Sequence, residues 1–156
     1  MDERATVALQ LGREPRAFKR VVVRCPFGRP AVAEQEPYDD AGNPFPTTYW
    51  LTCRYLVAAV SRLEAEGGVA RWTRAVAEDE TLARSLERAD ARQRELRPEL
   101  PVGIGGARAG ARTLKCLHAH VAFALAQPGY ELGERVLAEL EPLWPDRCCT
   151  LSVPGT

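Results

Sequence analysis

The run Val21-Val22-Val23 constrains this chain more than any other feature, because three consecutive β-branched residues stand ahead of a chain that is otherwise periodic at helical spacing. Such a run suits a buried strand. It leads directly into Arg24-Cys25-Pro26-Phe27-Gly28-Arg29-Pro30, where proline in second place and glycine in fourth predict a type I turn over Cys25 to Gly28. Residues 30–34 then return as a second strand, and Pro37 to Pro46, with Asp39-Asp40 and Gly42-Asn43-Pro44, form a loop. An isolated hairpin is marginal in water, so this one must bury a face against the helices that follow.

Those helices are spaced by clear punctuation. Thr47 or Thr48 is the expected N-cap of a helix whose apolar stripe is Tyr49, Cys53, Leu56, Val57, Val60 and Leu63, which turns the Cys53 thiol inward, and Gly67-Gly68 ends it. Residues 69–77 make a second helix. After the break at Glu78-Asp79-Glu80, Asp79 caps a third that runs to about Leu96. Pro98 to Gly110 is a glycine-rich break, a further helix is expected from about Ala111 to Ala126, and Pro128-Gly129 separates it from a last one over Glu131 to Leu143. A short helix around Thr6 to Leu11 precedes the hairpin, and the tail 145–156 has no helical pattern. The expected fold is therefore α+β: a mostly helical single domain over residues 1–156 with a small N-terminal β-hairpin, and with 1–18 and 145–156 as flexible ends.

The charge balance narrows the function classes. Lys and Arg together number 21 and so do Asp and Glu, which argues against a general nucleic-acid binder or a binder of anionic membranes. No stretch approaches the roughly 20 apolar residues of a membrane span, and Met1-Asp2-Glu3-Arg4 lacks the basic-then-apolar order of a signal peptide, so a cytoplasmic protein is expected. In a reducing compartment the five cysteines are expected as core residues, metal ligands or reactive thiols rather than bridges. Neutrality also hides a pattern. Residues 1–30 carry a net +4, residues 31–45 a net −4, and residues 100–129 a net +3, so positive charge gathers in the two segments that hold Cys25 and Cys116.

The candidate chemistry lies in Cys25, Cys53 and the run Lys115-Cys116-Leu117-His118-Ala119-His120, which contains both histidines of the chain. Tetrahedral zinc takes thiolate and imidazole, and Cys25, Cys53, Cys116 and His120 would form such a set if the hairpin turn packs against the helices. At about 100° per residue a helix places Cys116 and His120 on one face and His118 on the other. A second reading makes the thiols reactive. Cys25 follows Arg24 and Cys116 follows Lys115, nearby positive charge favours the thiolate, and His118 or His120 would act as base; Cys25, ahead of a turn, is the better presented nucleophile. The glycine loop is neither a P-loop nor a dinucleotide fingerprint, since Ala111-Arg112-Thr113 stands in place of Lys-Ser/Thr and Arg108 replaces the last glycine. It remains a loop entering a helix, with Arg108, Arg112 and Lys115 near its first turn, where cations oppose the helix dipole and free backbone N–H groups attract an anion. The aromatic group Phe45, Tyr49, Trp50 and Tyr55 is expected in the core.

Three motifs in order, Arg24 to Pro30, Phe45-Pro46-Thr47-Thr48-Tyr49-Trp50-Leu51-Thr52-Cys53, and Lys115-Cys116-Leu117-His118, resemble the bacterial family called domain of unknown function 501, found mostly in actinobacteria. The resemblance extends over nearly the whole chain and carries no activity with it. It singles out Arg24, Cys25, Gly28, Pro30, Thr52, Cys53, Lys115, Cys116 and His118, and favours His118 over His120. The family pattern has a further cysteine where this chain has Phe27 and a further histidine where it has Phe123, so two potential ligands are absent here. The resemblance also implies a cell-division or phosphate-metabolism context, from neighbouring genes for a septum-forming membrane protein and an exopolyphosphatase.

Together these observations point to a Cys/His site, with Cys25 and His118 as catalytic candidates and Cys25, Cys53, Cys116, His118 and His120 as candidate ligands for zinc or iron. Beside it, Arg24, Arg29, Arg112 and Lys115 form a basic rim for a small anionic ligand. Whether such a site makes the chain an enzyme stays open at the level of sequence. The rival reading is a non-enzymatic interaction domain whose cysteines are core residues and whose charged helix, through Arg84, Arg88 and Arg92, meets a protein partner.

Overall fold

The computed structural model describes residues 2–108 and 110–149. Among these residues six α-helices surround one three-stranded antiparallel sheet, in the α+β class expected. Helix α1 (Glu3–Leu11) opens on Asp2, whose side chain accepts from Ala5 N at 2.7 Å, and closes on Gly12. Strands β1 (Phe18–Arg24) and β2 (Pro30–Gln35) form the hairpin. Its turn is as the sequence implies: Gly28 N donates to Cys25 O at 2.9 Å, Cys25 N donates to Arg29 O at 2.8 Å, and Gly28 takes φ 81°, a left-handed value that glycine adopts without strain.

A third strand, β3 (Tyr49–Leu51), pairs with Val32 to Glu34 on the other edge of β2. This corrects the expected helix start at Thr47 or Thr48. Tyr49 to Leu51 fit a helical stripe, yet β2 is almost wholly buried and its second edge needs hydrogen-bond partners, so tertiary pairing overrides local periodicity. Thr48 is buried and its Oγ1 accepts from Gln93 Nε2 at 2.6 Å instead of capping a helix. Helix α2 (Arg54–Ala65) begins after Cys53, which is its N-cap residue.

Helices α3 (Gly68–Glu78) and α4 (Glu80–Leu96) follow the predicted punctuation closely, with the Asp79 carboxylate accepting from Thr81 N at 2.9 Å and Leu82 N at 3.3 Å. A short 3-10 turn at Ile104–Gly106 precedes α5 (Leu117–Ala126). That helix starts six residues later than the sequence suggests: Cys116 is its extended N-cap residue, so Arg108, Arg112 and Lys115 lie outside its first turn. The last helix, α6 (Glu131–Ala138), ends before Leu143 because Pro142 cannot donate a helical N–H. Of the tail 145–156, residues 150–156 lie outside the described residues.

Helix α5 is the centre of the molecule. It packs on β3, touches β1 and β2, and contacts α2 and α6. Its residues Leu117, Val121, Ala122 and Phe123 are within 2% of full burial, and a helix covered on nearly every side needs an apolar sequence such as LHAHVAFALA. Helix α6 approaches it through Gly133, where an added Cβ would lie 2.6 Å from the Ala124 Cβ, so the close crossing requires glycine.

Candidate functional site

The two histidines, separated by one residue, meet opposite surroundings. His120 is 2% exposed and its Nδ1 sits 2.8 Å from the Tyr130 hydroxyl, with burial pushing its pKa down to about 4. It is therefore a neutral ring in the core at physiological pH. His118 is half-buried on the α2 side. Its Nδ1 lies 3.3 Å from Glu64 Oε2, and its Nε2 is 3.2 Å from Ser61 Oγ and 3.3 Å from Val57 O. Glu64 Oε2 also accepts from Leu117 N at 2.7 Å. One carboxylate oxygen thus caps α5, which Cys116 leaves without a side-chain cap, and orients the ring of His118. Val57 O can only accept, so its contact with Nε2 needs a proton there, while Ser61 Oγ can take either role.

His118 and Cys116 line a cavity of about 540 Å3, within the range of about 300–1,000 Å3 typical of small-molecule sites. Four elements build it. The end of α1 supplies Gln10, Leu11 and Arg13; the segment into β3 supplies Thr47, Tyr49, Trp50 and Leu51; the start of α2 supplies Arg54, Val57 and Ala58; and the start of α5 completes it with Ala119. Apolar and aromatic side chains predominate, and among the described residues the lining holds two arginines and no carboxylate. Arg13 lies over the Trp50 ring at 5.7 Å from its centroid, and neither Arg13 nor Arg54 has an ion pair among the described residues. Neither sits in a motif that singles it out. Arg13 belongs to the net-positive first thirty residues, which was the available signal; Arg54 follows Cys53 with no warning in the sequence.

The other sequence candidates are distributed elsewhere. Cys25 is buried in the hairpin turn and is not among the cavity residues, so the pair Cys25 and His118 does not share it. Cys53 is 2% exposed, its sulfur 3.7 Å from that of Cys149, and burial, with the Cys149 thiol adding to it, pushes its pKa up to about 12. That thiol is a poor nucleophile near neutral pH. Among the described residues no group of three or more His, Cys, Asp or Glu side chains is arranged to hold a metal ion. Helical spacing had placed Cys116 beside His120, but Cys116 precedes the helix, and the face shared with His120 does not exist.

The expected basic rim does not gather around the cavity either. None of its four members lines it. Arg24 pairs with Glu3 and donates to Gly28 O at 3.1 Å; Arg112 pairs with Glu87 at 2.6 Å and Glu80 at 3.6 Å; Lys115 Nζ donates to Gly106 O at 3.3 Å; Arg29 is exposed. The backbone positions expected to attract an anion are filled from within the chain. Asp90, on α4, accepts from Ile104 N at 2.8 Å in the glycine loop, and Glu64 does the same for the start of α5.

Fold and cavity together define a small α+β protein with a ligand-sized, cationic pocket where β3 meets the starts of α2 and α5. The chain belongs to the family described as "Protein of unknown function (DUF501)", whose sequence model matches residues 21–101. The first two motifs fall inside that span, while Lys115-Cys116-Leu117-His118 lies beyond it. No curated protein and no solved structure matches the chain. No described helix is long and apolar enough to cross a membrane.

Proposed function

We propose that this chain binds a small anionic molecule in the Cys116/His118 cavity and presents a thiol and an imidazole to it. The observation that carries this reading is that both side chains line one cavity in which, among the described residues, the permanently charged members are Arg13 and Arg54. With no carboxylate among the described lining residues, the two exposed guanidinium groups give the cavity a net positive charge that favours an anion. Of the two chemistries open at the level of sequence, metal binding and thiol chemistry, the second has the support: Cys116 and His118 share a cavity, whereas Cys25, Cys53 and His120 are each buried apart from it.

Size-matched alkylating agents of different charge test this directly. Iodoacetate is anionic and iodoacetamide is neutral, so their rate ratio at Cys116, read by peptide mass spectrometry, reports the field inside the cavity. The ratio is expected to be about tenfold higher in the folded protein than in urea, within the span that focused fields produce. The double variant Arg13→Gln/Arg54→Gln should return it to the unfolded value. A folded ratio no higher than the unfolded one, or a Cys116 that reacts only after unfolding, overturns the proposal.

A further inference from the structure

Outside the cavity, two sulfur atoms from distant parts of the chain meet. Cys53 Sγ and Cys149 Sγ lie 3.7 Å apart, although 96 positions of sequence separate the residues. Cys53 is the fixed member: it is the extended N-cap residue of α2, it is 2% exposed, and its carbonyl accepts from Val57 N at 2.9 Å. Cys149 is half-buried. It reaches this point because the segment after α6 returns to the start of α2, where the Tyr55 hydroxyl donates to Pro142 O at 2.8 Å and Leu143 and Trp144 pack against the core. One thiol is thus within reach of a small solute while its neighbour is sealed.

We propose that Cys149 and Cys53 form an oxidation site, at which hydrogen peroxide attacks Cys149 and Cys53 resolves the product as an intramolecular disulfide. In the first step Cys149 Sγ displaces hydroxide from the peroxide, the O–O bond breaks, and the thiol proton leaves with that hydroxide as water; the sulfur loses two electrons and becomes a sulfenic acid. In the second, Cys53 Sγ attacks Cys149 Sγ, the S–S bond forms, the S–O bond breaks, and the Cys53 proton leaves with the departing hydroxide as a second water. The surroundings set this order. Access to solvent puts Cys149 first, and burial, which holds the Cys53 thiol protonated, puts Cys53 second. Closing the gap to the roughly 2.05 Å of an S–S bond asks for a displacement of about 1.7 Å, shared between two side chains. A reducing compartment is compatible with such a bond, because exchange with small thiols restores the pair. The bond forms one residue from Arg54, so an oxidant acts beside the cavity without entering it.

The test is oxidation of the full reduced chain with a small excess of hydrogen peroxide, followed by alkylation, non-reducing digestion and peptide mass spectrometry. The Cys53–Cys149 crosslink is expected as the principal disulfide, at least about tenfold more abundant from the folded chain than from chain oxidised in urea, since only the fold gathers the two sulfurs. This comparison uses the native sequence, so it does not depend on any variant folding. Dithiothreitol should remove the crosslink. Cys148→Ser should leave it in place, and Cys149→Ser should abolish it with no replacement bridge at Cys53. Dimedone, which captures sulfenic acids, should label Cys149 in Cys53→Ala and label it severalfold less in the native chain, where Cys53 consumes the intermediate. A principal crosslink from Cys53 to Cys148 or between Cys148 and Cys149, an equal yield in urea, or Cys149 carried on to sulfinic acid while Cys53 stays reduced would each overturn the proposal.

Discussion

The two sides of α5 teach how one helix serves both as packed core and as the wall of a cavity. On the core side, His120, Val121 and Phe123 are sealed: Phe123 meets Tyr49 and Tyr130 edge-on at centroid distances of 5.6 and 5.8 Å, and His120 has the neutral Tyr130 hydroxyl for a partner. On the cavity side, Cys116 and His118 stand at the helix start among a carboxylate, a hydroxyl and open volume. The same imidazole is a sealed, space-filling group in one place and part of the wall of an open cavity in the other. What differs is solvent access and the charge of the nearest partner.

If that division is real, deletions on the two sides should differ most in stability. Phe123→Ala removes a ring that is 2% exposed and should cost about 3–5 kcal/mol in urea denaturation. His118→Ala, at the edge of an existing cavity, should cost no more than about 1 kcal/mol. Equal losses would mean that the cavity side is structural and the comparison empty.

Acid should separate the histidines next. The His120 pKa is lowered from 6.5 to about 4, so between those values the unfolded chain binds a proton that the folded protein excludes. The associated stability is present above pH 6.5 and is lost as pH falls towards 4, up to about 3 kcal/mol in all. Asp90 works in the opposite sense. Burial raises its pKa, opposed by the bond from Ile104 N, so the folded state holds that proton more tightly and stability falls as pH rises above 3.8. A comparison of the native chain with His120→Gln, which keeps a polar group for Tyr130, isolates the first effect: the variant should lose less stability between pH 6.5 and 4. Identical pH profiles would show that His120 is not held neutral in the core.

The core side was the harder to read from sequence. Hairpin, turn and the boundary between α3 and α4 were legible because their signals are local: a β-branched run, proline and glycine at set turn positions, an Asp79 cap. Strand β3 was not, since Tyr49 to Leu51 are extended by pairing with β2, a contact made across some seventeen positions of sequence. The late start of α5 has the same origin. Its cap is Glu64, fifty-three residues away, so nothing near Ala111 or Cys116 marks the boundary. Those two misreadings carry over to the site. Cys116 and His118 stand out in the sequence because the chain has only two histidines and one lies two residues after a cysteine, whereas Arg13 and Arg54 are two arginines among many and became visible only as lining residues of the cavity.

Glu64 joins the two sides, and its replacement gives the smallest and most informative effect. Its Oε2 binds both Leu117 N and His118 Nδ1, so Glu64→Ala removes a helix cap and the partner of the ring together. Loss of a cap costs about 1 kcal/mol. Glu64→Gln keeps an acceptor for Leu117 N but no longer offers a charge, and should cost about half as much, the remainder being the attraction of a carboxylate to the helix N-terminus. Both variants remove a negative charge beside Cys116, since Glu64 Oε2 accepts from the adjoining Leu117 N, so each should raise the iodoacetate preference of Cys116 by a similar factor. Urea midpoints and the alkylation ratio, measured on the same two variants, therefore separate the two functions of one oxygen. A glutamine variant as unstable as the alanine variant would assign the cap to charge rather than to the hydrogen bond. An unchanged alkylation ratio would show that the Glu64 carboxylate does not act on Cys116.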